Sequence, residues 1–526
     1  MAYSTTRSTF FCPAGTKWYW EFVPTTGYNY AACGITTNSH EWDINPGGGN
    51  STPSGHGVGF YGAEINHDGT RTTPSGPAST AWASGDIVGF AYDVDANTIK
   101  KYINGSLDYT YSSVPVSTDG PYSPTFGDFG GSVAATINVN FGADSSFGGL
   151  KTAQGNQDGN GKGDFFYAPP SGYLALCTDN LPDPSIENPR DHFNTLLWDG
   201  DDGSSRTVSG VGFQPDLFWL KSRGIASNQR LQDSVRGDNG TRMYAINSNS
   251  TAAESTDTSI LSLTSDGFTT DDNAGAGGGN NSGENYVGWF WKAGGTAVSN
   301  TDGSITSSVS ANTTAGFSIV SYTSPGTNVD ETIGHGLSQA PEMVMVKNLD
   351  SIYNWDVWTP ALASEKDLIL NSADDELSSR WSATVPSASL VTLRDSYEVS
   401  GTDDYIAYCF HSVEGYSKVG SYEGNNDADG SFIYLGFKPE FFLVKDIDSV
   451  ESWAMWDGTR EPYNKLSKKI SPDSNVAEYT ANTTTYAIDF LSNGVKLRSS
   501  YSVLNAAESY IYYAVAKSPF KYSNAR

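Results

Sequence analysis

Residues 212–221 read GFQPDLFWLK; the pattern returns as GLSQAPEMVMVK at 336–347 and as GFKPEFFLVK at 436–445. Each copy is a turn built on Gly and Pro, then an acidic residue, a run of bulky apolar side chains and a terminal Lys. A pattern that restarts after roughly one hundred residues means one domain type used three times. Modules repeated in this way more often bind or build than each carry a catalytic centre.

The frame extends in both directions from this signature. Phe193, Phe317 and Tyr416 open strand-like runs 19, 19 and 20 residues before Gly212, Gly336 and Gly436. Tyr286, Tyr405 and Tyr510 open aromatic strands (YVGWFWK, YIAYCFH, YIYYAVAK) that lie 71, 64 and 71 residues after Pro215, Pro341 and Pro439. SDGFTT at 265–270 matches SNGVKL at 492–497, and Asp-Gly or Asn-Gly between apolar residues predicts a tight hairpin turn. LRDSYEV at 393–399 keeps the polar turn but loses the Gly, and LQDSVRG at 231–237 corresponds to MWDGTRE at 455–461. The predicted modules are 186–297, 298–414 and 415–526, preceded by a different domain at 1–185.

Composition sets the class. Aromatics at 13%, 56 Gly and 30 Tyr suit strands joined by tight turns. Apolar positions alternate or come in short runs bounded by Gly, Asn, Asp and Ser, with no long stretch at helical period, so the fold is expected to be all-β. The 31 basic and 59 acidic residues give a net charge of −28. Such a surface repels phosphate backbones, which argues against nucleic-acid binding. Cys12, Cys33, Cys177 and Cys409 are far apart and are expected as free, buried thiols. The start AYSTTRSTFF has no secretory pattern, and no run has the length of a membrane span, so neither secretion nor membrane insertion is expected.

The first 185 residues have their own order of marks. KWYWEF at 17–22 reads as an aromatic strand, and GDIVGFAYDVDANTIKKYINGSL at 85–107 as a meander that turns at Asn104 and Gly105. ATINVNFG at 135–142 closes the sheet, and FFYAPPSGYLALCTDNLPDP at 165–184 returns to it before the chain passes to the repeats. Taken together, Trp20 and Glu21; Gly85, Asp86, Val88 and Gly89; Asn104 and Gly105; and Asn140, Phe141 and Gly142 resemble the SPRY and concanavalin-like β-sandwich family. The resemblance covers about 130 residues and implies a non-catalytic sandwich that recognises protein or carbohydrate. The expected architecture is therefore a SPRY/concanavalin-like sandwich followed by three tandem, jelly-roll-like β-sandwich modules.

The whole chain resembles a type of bacteriophage structural protein. There, a sandwich ending in FxYxPPxGYxAL and NLPxP precedes modules marked GFQPDLxWxK, LQDSVRG, SDGF and YVxWxWKAGG. All four module marks stand in the first repeat, and the later two are degenerate copies. The resemblance implies a virion protein, tail-associated and host-facing, that assembles with itself as a homo-oligomer and with other virion proteins and contributes to attachment to a host-surface glycan or protein. Two alternatives stand beside it: a capsid decoration or tail nozzle component with a purely architectural role, and a polysaccharide depolymerase.

Residues for chemistry are sparse. There is no HExxH, no GxSxG, no phosphate loop and no Cys/His spacing for a metal, so no catalytic residue and no cofactor is assigned. Asp158, Asn160 and Asp164 in DGNGKGD, and Asp199, Asp201 and Asp202 after Trp198, offer oxygens of the kind Ca²⁺ takes. The candidate binding groups are aromatic: Trp355 and Trp358 in NWDVW, and Trp453 and Trp456 in SWAMW. Three apart on a strand, the two members of each pair face opposite ways. One is expected in the core, and the other outward or at a module interface. An outward Trp beside Asp356 or Asp457 would stack on a sugar ring and offer its hydroxyls a carboxylate.

Overall fold

In the computed structural model, the described residues are 4–37, 57–67, 70–72, 80–115, 121–128, 134–203, 205–271, 279–327, 329–395, 397–480 and 484–523. The chain divides into two compact units, Met1–Asp183 and Pro184–Arg526. The fold is all-β, and no helix among the described residues is long and apolar enough to cross a membrane. Cys12, Cys33 and Cys409 are buried free thiols, while Cys177 is half-buried.

The amino-terminal unit is a sandwich of two sheets. One runs Ser4–Arg7, Ser123–Asp128, Ala31–Thr36, Gly57–Tyr61, Glu64–His67, Thr70–Thr72 in pairing order; the other runs Ile137–Asn140, Lys17–Pro24, Val88–Asp93, Thr98–Ile103, Ser106–Tyr111. Asn104 and Gly105 both take positive φ, 49° and 79°, the geometry a two-residue hairpin turn needs. The Asn104 side chain also donates to Asp86 Oδ1 at 2.9 Å and accepts from the Ile87 N–H, tying the meander to the Gly-Asp turn. The returning segment pairs Leu174–Ala175 parallel to Trp18 and Tyr19. Glu21, fully buried, accepts the N–H groups of Phe166 and Tyr167 at 2.9 Å each.

Within the second unit the three repeats follow one antiparallel plan. An opening strand (Phe193–Asp199, Phe317–Thr323, Ser417–Glu423) pairs with the closing strand (Asn285–Trp291, Asp404–Phe410, Ser509–Pro519). The closing strand pairs with the signature strand (Leu217–Ser222, Met343–Asn348, Phe437–Asp446), which pairs with a third strand (Arg230–Asp233, Trp355–Trp358, Ala454–Asp457). The register is the same in all three: Trp219 faces Trp289 and Leu231, Met345 faces Tyr408 and Val357, and Leu443 faces Tyr513 and Met455. A smaller sheet covers one face of each large sheet. In the first and third repeats it includes the hairpins Ile260–Thr264/Gly267–Thr270 and Ile488–Leu491/Gly494–Leu497, turning at Asp266-Gly267 and Asn493-Gly494.

The hairpin glycines are required by close approach. A Cβ on Gly267 would lie 2.0 Å from the Val208 carbonyl oxygen, and one on Gly494 2.2 Å from that of Ile433. The second repeat lacks this Gly, and its small sheet is reduced to Glu331–Gly334 and Leu390–Leu393.

Alternate residues of each signature strand serve two different cores. Phe218 and Leu220, Val344 and Val346, and Phe442 and Val444 point into the core of their own repeat. Leu217 and Trp219, Met343 and Met345, and Phe441 and Leu443 point the other way, into one core common to all three repeats. This explains why the signatures read as continuous apolar runs rather than alternating ones: both faces of these strands are covered. At the centre of the common core, side chains from all three repeats surround a void of about 10 Å³.

Candidate functional site

The junctions between repeats are built from equivalent residues and run in a closed cycle. The Lys that ends each signature donates from Nζ to a backbone carbonyl of the neighbouring repeat: Lys347 to Thr251 at 3.2 Å, Lys445 to Ala373 at 3.3 Å and Lys221 to Asn475 at 3.1 Å. The second repeat thus contacts the first, the third contacts the second, and the first contacts the third. A backbone bond repeats the cycle, with the N–H of Glu254, Glu376 and Glu478 donating to the carbonyls of Leu349, Ile447 and Arg223. All three lysines are fully buried, and burial pushes each amine down to about 8.

Two of the four predicted tryptophans, Trp355 and Trp453, belong to the same junctions. Trp355 donates from Nε1 to the Asn247 carbonyl and Trp453 to that of Ile369, each at 2.9 Å. Gln229, at the equivalent place in the first repeat, donates to the Ser471 carbonyl. Trp358 and Trp456 face the other way, into the cores of the second and third repeats. Opposed facing is as the three-residue spacing predicted, but the outward, sugar-stacking member does not exist. All four rings are buried, the most accessible, Trp358, at 7%, because the covering surface is another repeat or the small sheet rather than solvent.

Asp356 and Asp457 are also buried, and they are not equivalent. Asp457 pairs with Phe441 at the junction face, whereas Asp356 pairs with Val346 and shares the face of Trp358. Asp457 accepts from the Arg460 guanidinium and, across the junction, from Trp289 Nε1 at 3.1 Å. Asp233 does the same for Arg236 and for the Tyr408 hydroxyl at 2.8 Å. In the second repeat Thr359 and Leu362 take these two places, and Leu362 joins the common core.

Asp356 instead belongs to a cluster that sequence reading missed. One carboxylate oxygen from each of Asp356, Asp367 and Glu398 lies within 4.8 Å of the others. Arg380 bonds Asp356 and Asp367 and lies over the Tyr397 ring, 4.4 Å from its centroid. Burial, reinforced by Asp356, pushes Asp367 up to about 9; burial also raises Asp356 and lifts Glu398 well above the usual carboxylate range. The three acids are 11 and 31 residues apart in the chain, so no local motif marks them.

The calcium candidates of the amino-terminal unit are structural turns. Asp158 Oδ1 accepts the N–H groups of Asn160 and Lys162, and Oδ2 accepts those of Ala175 and the Asn180 side chain, at 2.7–2.9 Å. Burial works against the charge of Asp158, but these donors outweigh it and hold the carboxyl below the usual range. Asn160 donates its amide to Asn180, and the backbone of Asp164 bonds Gly142 and Asn140. Asp201 and Asp202 likewise accept backbone N–H groups, from Gly203 and Ser282.

Residues 188–519 match the model of a family described as a domain of unknown function, DUF7483. No curated protein matches the chain. Among solved structures, the SPRY domain of human HERC1 is similar over 26% of this chain and 77% of its own, at 15% identity and a TM-score of 0.19. A stonustoxin structure is similar over 26% of this chain at 16% identity and a TM-score of 0.20, and the chain spans 22% of that protein's length. The sandwich of the amino-terminal unit rests on its own strand pairing.

Proposed function

Since this chain belongs to the DUF7483 family, which carries no assigned activity, we propose, from the resemblance of its motifs to bacteriophage structural proteins and from its architecture, a non-enzymatic structural protein of a bacteriophage virion, tail-associated, with the three repeats as its scaffold. The observation that carries this reading is the common core. Side chains that separate modules would have free for ligands, Trp355, Trp453 and the signature lysines, are spent on holding repeats to one another. Host-surface attachment then falls to the amino-terminal sandwich and to loops on the rim of the repeat body. Strength comes from copies of the whole chain around a particle axis, since multivalent gain requires several separate sites.

The fused repeats favour a second reading, a decoration or nozzle component with no receptor. Imaging of the particle with the chain labelled, together with binding of the full chain and of residues 184–526 to host cells, separates the two. Tail location with binding by the full chain supports the first reading. Location on the particle without binding by either supports the second, and absence from the particle overturns both.

A further inference from the structure

With its three acids ionised, the cluster in the second repeat has more negative charge than its surroundings neutralise. Asp356, Asp367 and Glu398 are at most 5% exposed, and the charge bonded to the pair of aspartates is the single guanidinium of Arg380. Glu398 Oε2 accepts the Arg394 N–H at 2.7 Å, but Oε1, fully buried, has no hydrogen-bond partner. An ionised oxygen left unpaired away from water is among the most costly arrangements a fold can hold. Structural packing alone does not demand the acids here, because the positions equivalent to Asp356 in the sister repeats are Arg230 and Ala454, and those equivalent to Asp367 are Ala245 and Lys469.

We propose that Asp356, Asp367 and the unpartnered oxygen of Glu398 hold one divalent cation of the hard, oxygen-preferring class, Ca²⁺ or Mg²⁺ in kind. Three carboxylates against one guanidinium leave two negative charges, the charge of one such ion. The donor set is oxygen alone, which disfavours the softer metals that want sulfur or imidazole. Oxygens within 4.8 Å of each other can surround an ion at the roughly 2.3–2.6 Å that Ca²⁺ takes, with small movements. The ion would join the third strand, through Asp356, to Lys366–Ile369 and to the segment after Leu390–Leu393, and so lock the core containing the Trp358–Trp381 stack.

The test uses the full chain, stripped with chelator and dialysed into about 0.15 M salt to screen weak binding by the acidic surface. Metal content, calorimetric titration with Ca²⁺ and with Mg²⁺, and thermal melting are then measured on the wild type, Glu398→Gln, Asp367→Asn and the control Asp158→Asn. The expected result is one ion per chain and a melting temperature that rises on adding it. Asp158→Asn keeps this response, and Glu398→Gln loses at least tenfold in affinity while retaining a native near-ultraviolet spectrum. Should Glu398→Gln fail to fold, the stoichiometry of the wild type and the loss in Asp367→Asn decide alone. A wild type that binds no stoichiometric ion and melts identically with and without cation overturns the proposal and leaves protons as the neutralising species, as does an unchanged response in folded Glu398→Gln.

Discussion

Trp289 of the first repeat donates its indole N–H to Asp457 of the third at 3.1 Å, across the one junction between repeats that are not consecutive in the chain. That junction also carries Arg223 and Arg460 converging on Glu478, at 2.9 and 3.0 Å. The ring of repeats is therefore closed by buried polar contacts where no peptide bond closes it.

Removing Asp457 tests this closure. Arg460 is 5% exposed, and losing Asp457 leaves a buried guanidinium short of a partner and Trp289 without its acceptor. Breaking a buried pair from one side costs about 3–5 kcal/mol, so Asp457→Ala should lower unfolding stability by that amount in urea titrations. Lys162→Ala, which breaks the exposed pair with Asp179, should leave the urea midpoint nearly unchanged.

The Gln229 position suggests a replacement for Trp453. Both reach the same carbonyl position of a neighbouring repeat, so Trp453→Gln should keep the bond to Ile369 while losing the ring. Truncation to Ala loses both and should cost about 3–5 kcal/mol, with Gln costing less. Thermal melts of the two variants compare them directly; equal costs would mean that the bond contributes nothing.

The buried lysines set the alkaline behaviour. A folded amine pushed down to about 8, against the ordinary lysine value of 10.5, binds fewer protons than the unfolded chain between those values. Each lysine therefore weighs against folding below pH 8, and that weight is relieved as pH rises toward 10.5. Relative to Lys445→Met, the wild type should gain about 1.4 kcal/mol per pH unit across this window. Parallel stability curves for the two proteins would show that Lys445 remains normally basic.

Asp446 behaves in the opposite sense. It is fully buried, and burial together with a hydrogen bond to Glu508 pushes it up to about 7. Its contribution is present below pH 4 and is lost as pH rises through 7. The second repeat has Asn348 at this place, donating to Asp403 at 2.9 Å. Asp446→Asn should consequently leave stability nearly unchanged at pH 4 and raise it at pH 8 by on the order of 2 kcal/mol, read as a melting shift present at pH 8 only.

How much of this was legible depended on whether the cause was local. Gly267, Gly494, Asn104 and the period of the signatures are local requirements of turns and strands, and their sequence reading matches the structure. The opposed facing of Trp355 and Trp358 followed from strand geometry alone. What covers each face did not, since a continuous apolar run is equally consistent with a smaller sheet or with a sister repeat on the second face. The signature Lys was visible as a repeated residue, yet its role lies in a carbonyl of another repeat, 72, 96 or 254 residues away. As a cluster, Asp356, Asp367 and Glu398 carry no mark in any single segment, and the pairing of two adjacent strands with the turn after Leu390–Leu393 brings them together.

The common core makes one further demand, on folding. A repeat cut out alone, such as 415–526, would expose Phe441, Leu443, Trp453, Met455, Ile511, Tyr513 and Val515 on one face of its sheet. Soluble monomers rarely expose apolar patches beyond a few hundred Å², and the isolated repeat should associate or lose fixed packing. Residues 184–526, which keep the ring whole, should unfold in a single cooperative transition with coincident circular-dichroism and tryptophan-fluorescence midpoints. A monomeric, cooperatively folded 415–526 fragment would mean that the own core of the third repeat, around Phe442, Trp456 and Tyr512, suffices without its neighbours.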